Sequence, residues 1–480
     1  MAAPVRNDLF VDNRYVPATD GRRFPCIDPA TETVITQVAK ASAADVDIAV
    51  RSAHRALKGP WRSVLPQDRG VLLNRLADVI EAHKDEIAQL ETLDMGKPLR
   101  ESYANITRSA RTCRYYAGAA DKIEGQSIPI DGRTFNFTLH EPLGVTAHIT
   151  PWNYPFANAC RSLPTAIAAG CTVVIKPASD TSLSTLLLGE LCRQAGFPEG
   201  VVNVVTGSGS EAGAALARHP LVRGITFTGS VGTGQRIMEM AAEHIRPVVL
   251  ELGGKNPQVV FADADLESAL SETVRGAFIN AGQVCTGISR VLVERSIYGT
   301  YVEALKQRVD AMTLGPGIEN PDLGPLVSQA HRATVEEFVD VASADGARLV
   351  AGGRRPSDRE RGWFYRPTVF DEVQPSMRIA REEVFGPLLV VMPFDGDDAA
   401  LEIANGIDFG LTAGVFTRDL DRAMRFARDL EAGMVWVNEW FQSPVQVPHG
   451  GVKTSGIGRE QGMLALANYS QVKDVAIRFR

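Results

Sequence analysis

Apolar residues recur at helical spacing over residues 44–58 and 66–93, where Val71, Leu72, Leu76, Val79, Ile80, Ile87 and Leu90 share one stripe, so both stretches are predicted as helices. Short β-rich runs follow at Val145–Ile149, Thr172–Ile175, Val201–Val205 and Ile225–Phe227. Apolar-patterned segments such as Ser184–Ala195 and Glu211–Arg218 lie between them, a βαβα rhythm that predicts a parallel, doubly wound sheet. A second alternation runs from about Asp265 to Met434, with candidate strands at Val291–Glu294, Leu388–Met392 and Gly414–Thr417, and predicts a second α/β unit. Thr134–Glu141 and Val472–Phe479 are β-like but stand apart from this rhythm. Pattern alone allows them to pair with a partner subunit or to form edge strands within the chain.

Composition adds bounds. The 480 residues are 45% hydrophobic and 22% charged, enough for two or three domains with their own cores. A net charge of −7, with basic residues scattered rather than clustered, argues against a nucleic-acid or anionic-membrane surface. No apolar run approaches the roughly 20 residues of a membrane span. The opening MAAPVRNDLF lacks the regions of a signal peptide, so the expected location is the cytoplasm. Cys26, Cys113, Cys160, Cys171, Cys192 and Cys285 form no CxxC pair; reduced thiols and no metal site are expected.

Several motifs carry candidate chemistry. Ile149–Phe156 (ITPWNYPF) sets Asn153 among aromatics and prolines after a strand, where its carboxamide suits either an oxyanion donor or a turn cap. Val201–Gly213 and Phe227–Gly234 each imitate a strand, a glycine turn and a helix start; together, after a strand ending near Lys176, they favour nucleotide binding, although neither spells the full GxGxxG fingerprint. Glu251 interrupts the apolar run of VVLELGGKNP, which requires either a salt-bridge partner or a carboxyl with a raised pKa available as a base. In NAGQVCTG, Cys285 sits among small residues that let the chain turn around the sulfur, so it is either a nucleophile toward a carbonyl or an inert buried thiol.

In this order, PWNYPF, KPAS, FTGSVGTG, LELGGKNP, GQVC, EEVFGP and PHGGVKTSGIGRE resemble the aldehyde dehydrogenase superfamily across essentially the whole chain. The resemblance implies an α/β fold with a Rossmann-like cofactor domain (1–119 and 144–253), an α/β catalytic domain (254–463) and a small β oligomerisation arm (120–143 and 464–480), assembled as a homodimer or homotetramer. It makes Cys285 the nucleophile, Glu251 the base for the deacylating water, and Asn153 with the Cys285 amide the oxyanion hole. For NAD or NADP it implies Lys176 and Ser179 at the adenosine ribose, Gly229 and Ser230 at the pyrophosphate, and Gly209, Phe227 and Thr228 elsewhere in the cofactor site. Ile149, Thr150, Pro151, Trp152, Leu252, Glu383 and Phe385 complete the cofactor site, with Glu383 and Phe385 at the nicotinamide ribose and ring.

Departures matter too. Ser179 stands where many NAD-preferring members carry Glu, which leaves room for a 2′-phosphate. Arg161 and Ser162 replace a tryptophan and a lysine, which puts in doubt any proton relay from that lysine to Glu460. For the substrate, Arg161, Tyr154 and His449 are the candidate contacts; members of the resembling family that act on amino or trimethylammonium aldehydes hold the cation among aromatic side chains, and of those positions here Arg161, Ile279 and His449 are unsuited and Tyr154 alone fits. An aldehyde bearing a carboxylate, such as succinate semialdehyde, is expected with Arg161 as its anchor; the bland alternative puts Arg161 in a salt bridge at the helix surface. Rival readings are neutral or betaine and amino aldehydes, an acylating enzyme that uses coenzyme A, and a binding protein that has lost its chemistry.

Overall fold

A computed structural model describes residues 6–480, so the first five residues of the MAAPVRNDLF segment lie outside the described part. Two sheets organise it. The first has eight strands, and its heart is five parallel ones: Val202–Val204, Thr172–Lys176, Val145–Ile149, Val222–Thr228 and Val248–Glu251, in that spatial order. Chain order reverses direction across Val145–Ile149, so the carboxyl ends of this strand and of Val222–Thr228 flank a crevice at the topological switch point. The antiparallel edge strand Gly456–Ile457 returns late in the chain to pair with Val248–Glu251.

The second sheet has seven strands, parallel except for Arg348–Ala351 at one edge, and it contains Asn256–Val260, Ile288–Glu294, Leu388–Phe394 and Thr412–Phe416. Its strands are buried on both faces, which is why they read as continuous apolar runs. The two segments that stood apart pair with each other: Thr134–Pro142 and Ser470–Arg478 are antiparallel, with Ser127–Asp131 on the other side of Thr134–Pro142. This small sheet leaves Ile130, Phe135, Leu139, Val472, Ile477 and Phe479 exposed. Among the described residues, no helix is long and apolar enough to cross a membrane.

Two local expectations are corrected. The stripe over 66–93 is two helices, Pro66–Ala82 and Lys84–Met95, because His83 between them takes φ −100° and ψ 14° and turns its ring onto Glu86 (2.9 Å). Glu211–Arg218 begins as a wide π-turn over Gly209–Gly213 before the short helix Ala214–Arg218, with the Ser208 hydroxyl accepting the Glu211 amide. Most of the stripe survives the break: Leu76, Ile80 and Ile87 are buried in one core with Leu72, Val79 and Leu90 packed against it, but Val71 is exposed and Leu73 is buried in its place.

A buried ion pair braces the helix that enters the crevice. Lys97 and Glu91 are paired away from solvent, and the second Glu91 oxygen accepts the Phe156 amide (3.1 Å) in the first turn of helix Pro155–Ala169, where acceptors are needed. The Lys97 ammonium also lies 4.5 Å from the centre of the Tyr154 ring. Lys97→Met should leave the Glu91 charge buried without a counter-ion and lower the unfolding free energy by about 3–5 kcal/mol. Urea denaturation of the two proteins measures it, and an unchanged midpoint would contradict this bracing role.

Candidate active site

Cys285, Glu251 and Asn153 come from three separate segments and line one cavity of about 480 Å³ between the two large sheets. Cys285 follows a stretch of left-handed backbone, with Asn280 at φ 51°, Ala281 at φ 53° and Gly282 at φ 70°. Each non-glycine residue there carries strain, so the surroundings must hold the turn. They do so with side chains that are buried or, for Glu101, half-buried. The Asn280 amide donates to Glu101 (3.1 Å), its carboxamide to the Asn153 carbonyl (3.2 Å), and Gln283 Nε2 to the Asn280 carbonyl (2.9 Å). A Cβ on Gly282 would sit 2.2 Å from the Gly386 carbonyl, so only glycine fits that approach. Beyond the sulfur, Asn256 Nδ2 donates to the carbonyls of Cys285 and Gly287, both at 2.7 Å.

Asn153 faces this turn, and its Nδ2 donates to the Gln283 carbonyl (3.0 Å) while its Oδ1 accepts the Tyr154 amide (3.1 Å). One N–H of the carboxamide is thereby left over. Burial pushes the Cys285 thiol up to about 12, against the Arg161 cation, which favours thiolate. Glu251 ends its strand with both oxygens buried and without a hydrogen bond. Burial raises its carboxyl to about 8; Arg161 opposes the rise and Glu460 adds to it.

Arg161 lies neither free nor at the surface. Its guanidinium is ion-paired with Glu460 inside the cavity wall and donates to Thr228 Oγ1 (3.2 Å), with the side chain only 12% exposed. The expected anchor is therefore already committed to a protein carboxylate. Ser162, the other departure, turns away to His148 Nδ1 (2.7 Å) in the core. The Tyr154 ring faces Lys97 rather than an open cation site. His449 lines the cavity with Nε2 3.5 Å from Glu251 and Nδ1 3.4 Å from Ser443 Oγ. Burial and the cations Arg161, Arg108 and Arg459 hold it well below the usual histidine range, so its ring is neutral.

The expected cofactor residues divide into two groups. Pro151, Trp152, Thr228, Gly229, Ser230, Leu252, Glu383 and Phe385 line the same cavity as Cys285. Ile149, Thr150, Lys176, Ser179, Gly209 and Phe227 do not line it and continue along the carboxyl edge of the first sheet or the turns beyond it. The fit to a dinucleotide is visible in the chain itself. Helix Val231–Ala242 starts at Ser230, whose side chain does not cap it, which leaves first-turn amides available to an anion; a Cβ on Gly232 would meet open space. Thr150 Oγ1 is buried without a partner. Glu383, raised to about 7 by burial, accepts the Gly254 amide (2.9 Å), and Phe385 at φ 58° sets its ring edge-on to Trp152 at 5.2 Å. Lys176 is buried, with Nζ resting on the Pro177 carbonyl (2.6 Å), and Ser179 Oγ donates to the Gly207 carbonyl (3.0 Å).

Motif reading missed Glu101, Asn256, Asn280 and Gln283 as supports of the turn, and Arg108 and Ser443 as parts of the cavity. Asn256 and Gln283 lay inside quoted motifs, whereas nothing local marks Arg108, an exposed arginine on helix Leu99–Ala119. Among the described residues its guanidinium donates only to the Ser443 carbonyl and hydroxyl (3.4 Å to Oγ) and has no carboxylate partner.

Comparison with known proteins follows the same lines. The profile described as the aldehyde dehydrogenase family matches residues 15–475. A hydroxyisobutyraldehyde dehydrogenase of Mycolicibacterium austroafricanum is 44% identical over 470 residues, covering 98% of this chain and 93% of its own. A cytosolic aldehyde dehydrogenase of Rattus norvegicus is 42% identical over 475 residues, with 98% and 94% covered. The crystal structure of betaine aldehyde dehydrogenase from Staphylococcus aureus in complex with NAD+ superposes with a TM-score of 0.97 at 38% identity, covering 99% of this chain and 95% of that one. With that profile spanning almost its full length, the chain belongs to the aldehyde dehydrogenase family.

Proposed function

We propose that this enzyme oxidises an aldehyde to its carboxylic acid with NAD or NADP, through a thioester on Cys285. The observation that carries the reading is the convergence of a thiol, an unpartnered carboxyl and a carboxamide with a spare N–H on one cavity. The Cys285 thiol gives its proton to water in the open cavity and its sulfur adds to the aldehyde carbon, so that the carbonyl oxygen gains negative charge within reach of the Asn153 carboxamide and the Cys285 amide. A nicotinamide cofactor, when bound, supplies the hydride acceptor that this adduct needs. Glu251 then takes a proton from water, which adds to the thioester and releases the acid. Helix Val231–Ala242, Lys176 and Glu383 are the residues proposed to hold the cofactor, and the small antiparallel sheet, with its exposed apolar face, the surface through which copies assemble.

Glu251→Gln should give a burst of NAD(P)H close to one per active site and then stall, because only deacylation needs the base. In the wild type, the steady-state rate should rise with pH toward about 8, as the burial-raised carboxyl loses its proton. Rapid-mixing absorbance across pH tests both, and an unaltered steady rate in the variant would assign the base elsewhere.

A carboxylate-bearing aldehyde such as succinate semialdehyde is the proposed substrate class, with its anchor moved from Arg161 to Arg108. Arg161 already has its hydrogen bonds taken by Glu460 and Thr228, whereas Arg108 borders the cavity without a carboxylate of its own. A cationic betaine or amino aldehyde would meet both guanidiniums and find the Tyr154 ring facing Lys97. Arg108→Leu should lower kcat/KM for succinate semialdehyde about ten- to a hundredfold, the worth of a charged hydrogen bond, and leave butanal nearly unaffected. Equal losses on both aldehydes would remove Arg108 as the anchor.

Ser179 leaves NADP acceptable in this reading. Ser179→Glu should raise KM for NADP far more than for NAD, since a carboxylate opposite a 2′-phosphate costs several kcal/mol by like-charge contact. Kinetics with both cofactors decide it; parallel changes would place Ser179 away from the ribose.

A further inference from the structure

Glu251 must lose the proton it takes from water before it can act again, and its surroundings restrict where that proton goes. Neither carboxyl oxygen has a hydrogen-bond partner. The cations about it are guanidiniums, Arg161 and Arg459, which hold their protons at any working pH and cannot pass one on. Arg161 is moreover occupied by Glu460, whose carboxyl group is engaged in that ion pair in turn, and Ser162 is hydrogen-bonded to His148 in the core, so none of the three offers a route. The ring of His449 remains. Its Nε2 lies 3.5 Å from a Glu251 oxygen, and its Nδ1 lies 3.4 Å from the hydroxyl of Ser443, which is half-buried at the cavity mouth and also receives Arg108 at 3.4 Å.

We propose that His449 and Ser443 form the exit path for the proton of the deacylation step, with His449 acting through Glu251. This rests on Glu251 being the base. Water gives one proton to the Glu251 carboxylate while its hydroxyl joins the thioester carbon. The C–S bond then breaks with its electron pair left on sulfur, and the new acid returns a proton to that thiolate. One proton per turnover is left on Glu251. It passes to His449 Nε2 as the Nδ1 proton leaves to Ser443 or to water at the mouth; the ring ends neutral in its other tautomer, and exchange with water after product release, one proton lost at Nε2 and one gained at Nδ1, restores the first. A neutral ring is what this exchange requires. Burial and the cations facing His449, Arg161, Arg108 and Arg459, discourage a lasting imidazolium, against the opposite pull of the Glu251 carboxyl group beside it. The backbone of His449 is pinned by two hydrogen bonds with Glu460 (2.6 and 2.8 Å), which keeps the ring at its post between base and mouth.

The test compares wild type, His449→Gln, His449→Phe and Glu251→Gln by rapid mixing with butanal and NAD, with and without added imidazole. Both His449 variants should keep a burst near one NADH per site, which shows that they are folded and acylate. Their steady rate afterwards should drop by about tenfold or more, within the range usual for lost proton transfer. Imidazole should restore that rate in His449→Phe in proportion to its concentration, and should do nothing for Glu251→Gln. Wild-type steady rates in both His449 variants, a loss of the burst itself, or slow deacylation that imidazole cannot rescue would each overturn the path. If Glu251→Gln turns over normally, the assignment of the base has failed instead.

Discussion

Burying two carboxyl groups and a reactive thiol around one cavity is costly, and in this protein the guanidinium of Arg161 is what makes it tolerable. Taking a charge out of water costs several kcal/mol even after relaxation, and such a cost is met only by an opposite charge held in good geometry. Arg161 pairs directly with Glu460, and its field reaches Glu251 and Cys285. Removing it would leave Glu460 buried without a counter-ion and push the Glu251 and Cys285 pKa values further up. The same cation, together with Arg108 and Arg459, keeps His449 neutral. One side chain thus tunes four titratable groups contributed by distant parts of the chain.

That electrostatic arrangement is useful only because the sulfur is held still. The left-handed turn at Asn280–Gly282 presents Cys285 into the cavity, and its strain is met by buried carboxamides and a half-buried carboxyl group. Asn153 belongs to both systems. Its side chain holds the Gln283 carbonyl and keeps an N–H over for the reacting oxygen, so the group proposed to stabilise charge is positioned by the loop that carries the nucleophile. Behind it, the Glu91–Lys97 pair fixes the start of the helix on which Arg161 rides. Preorganisation of this kind is what lets a few dipoles and charges act without reorganising when a reaction occurs.

The two sheets explain why the site lies where it does. In a parallel, doubly wound sheet the helices leave the carboxyl ends of the strands open at the point where strand order reverses. Asn153, Thr228 and Glu251 all lie at or just beyond such ends, while the second sheet brings Cys285 to them from the other side. A lone sheet would offer the groove and the helix start at Ser230, but not the Cys285 thiol.

Sequence by itself determined the two α/β units and singled out Cys285, Glu251 and Asn153, which the fold brings to one cavity. Strands buried on both faces leave unbroken apolar runs, helices leave stripes, and a carboxyl in an apolar run or a cysteine in a small-residue turn stands out against its neighbours. The stripe over 66–93 concealed a helix break, because a break that preserves burial leaves the apolar pattern almost intact. Charge partnership was decided by tertiary structure alone. Arg161 could have been a free anchor or a surface ion pair, and its burial against Glu460 depends on a fold that returns the far end of the chain to helix Pro155–Ala169. Arg108 and Ser443 likewise became parts of the cavity only when two distant segments met at its mouth. Electrostatic roles follow distances in space, and periodicity along a chain carries no information about which remote residue will stand within a few ångströms.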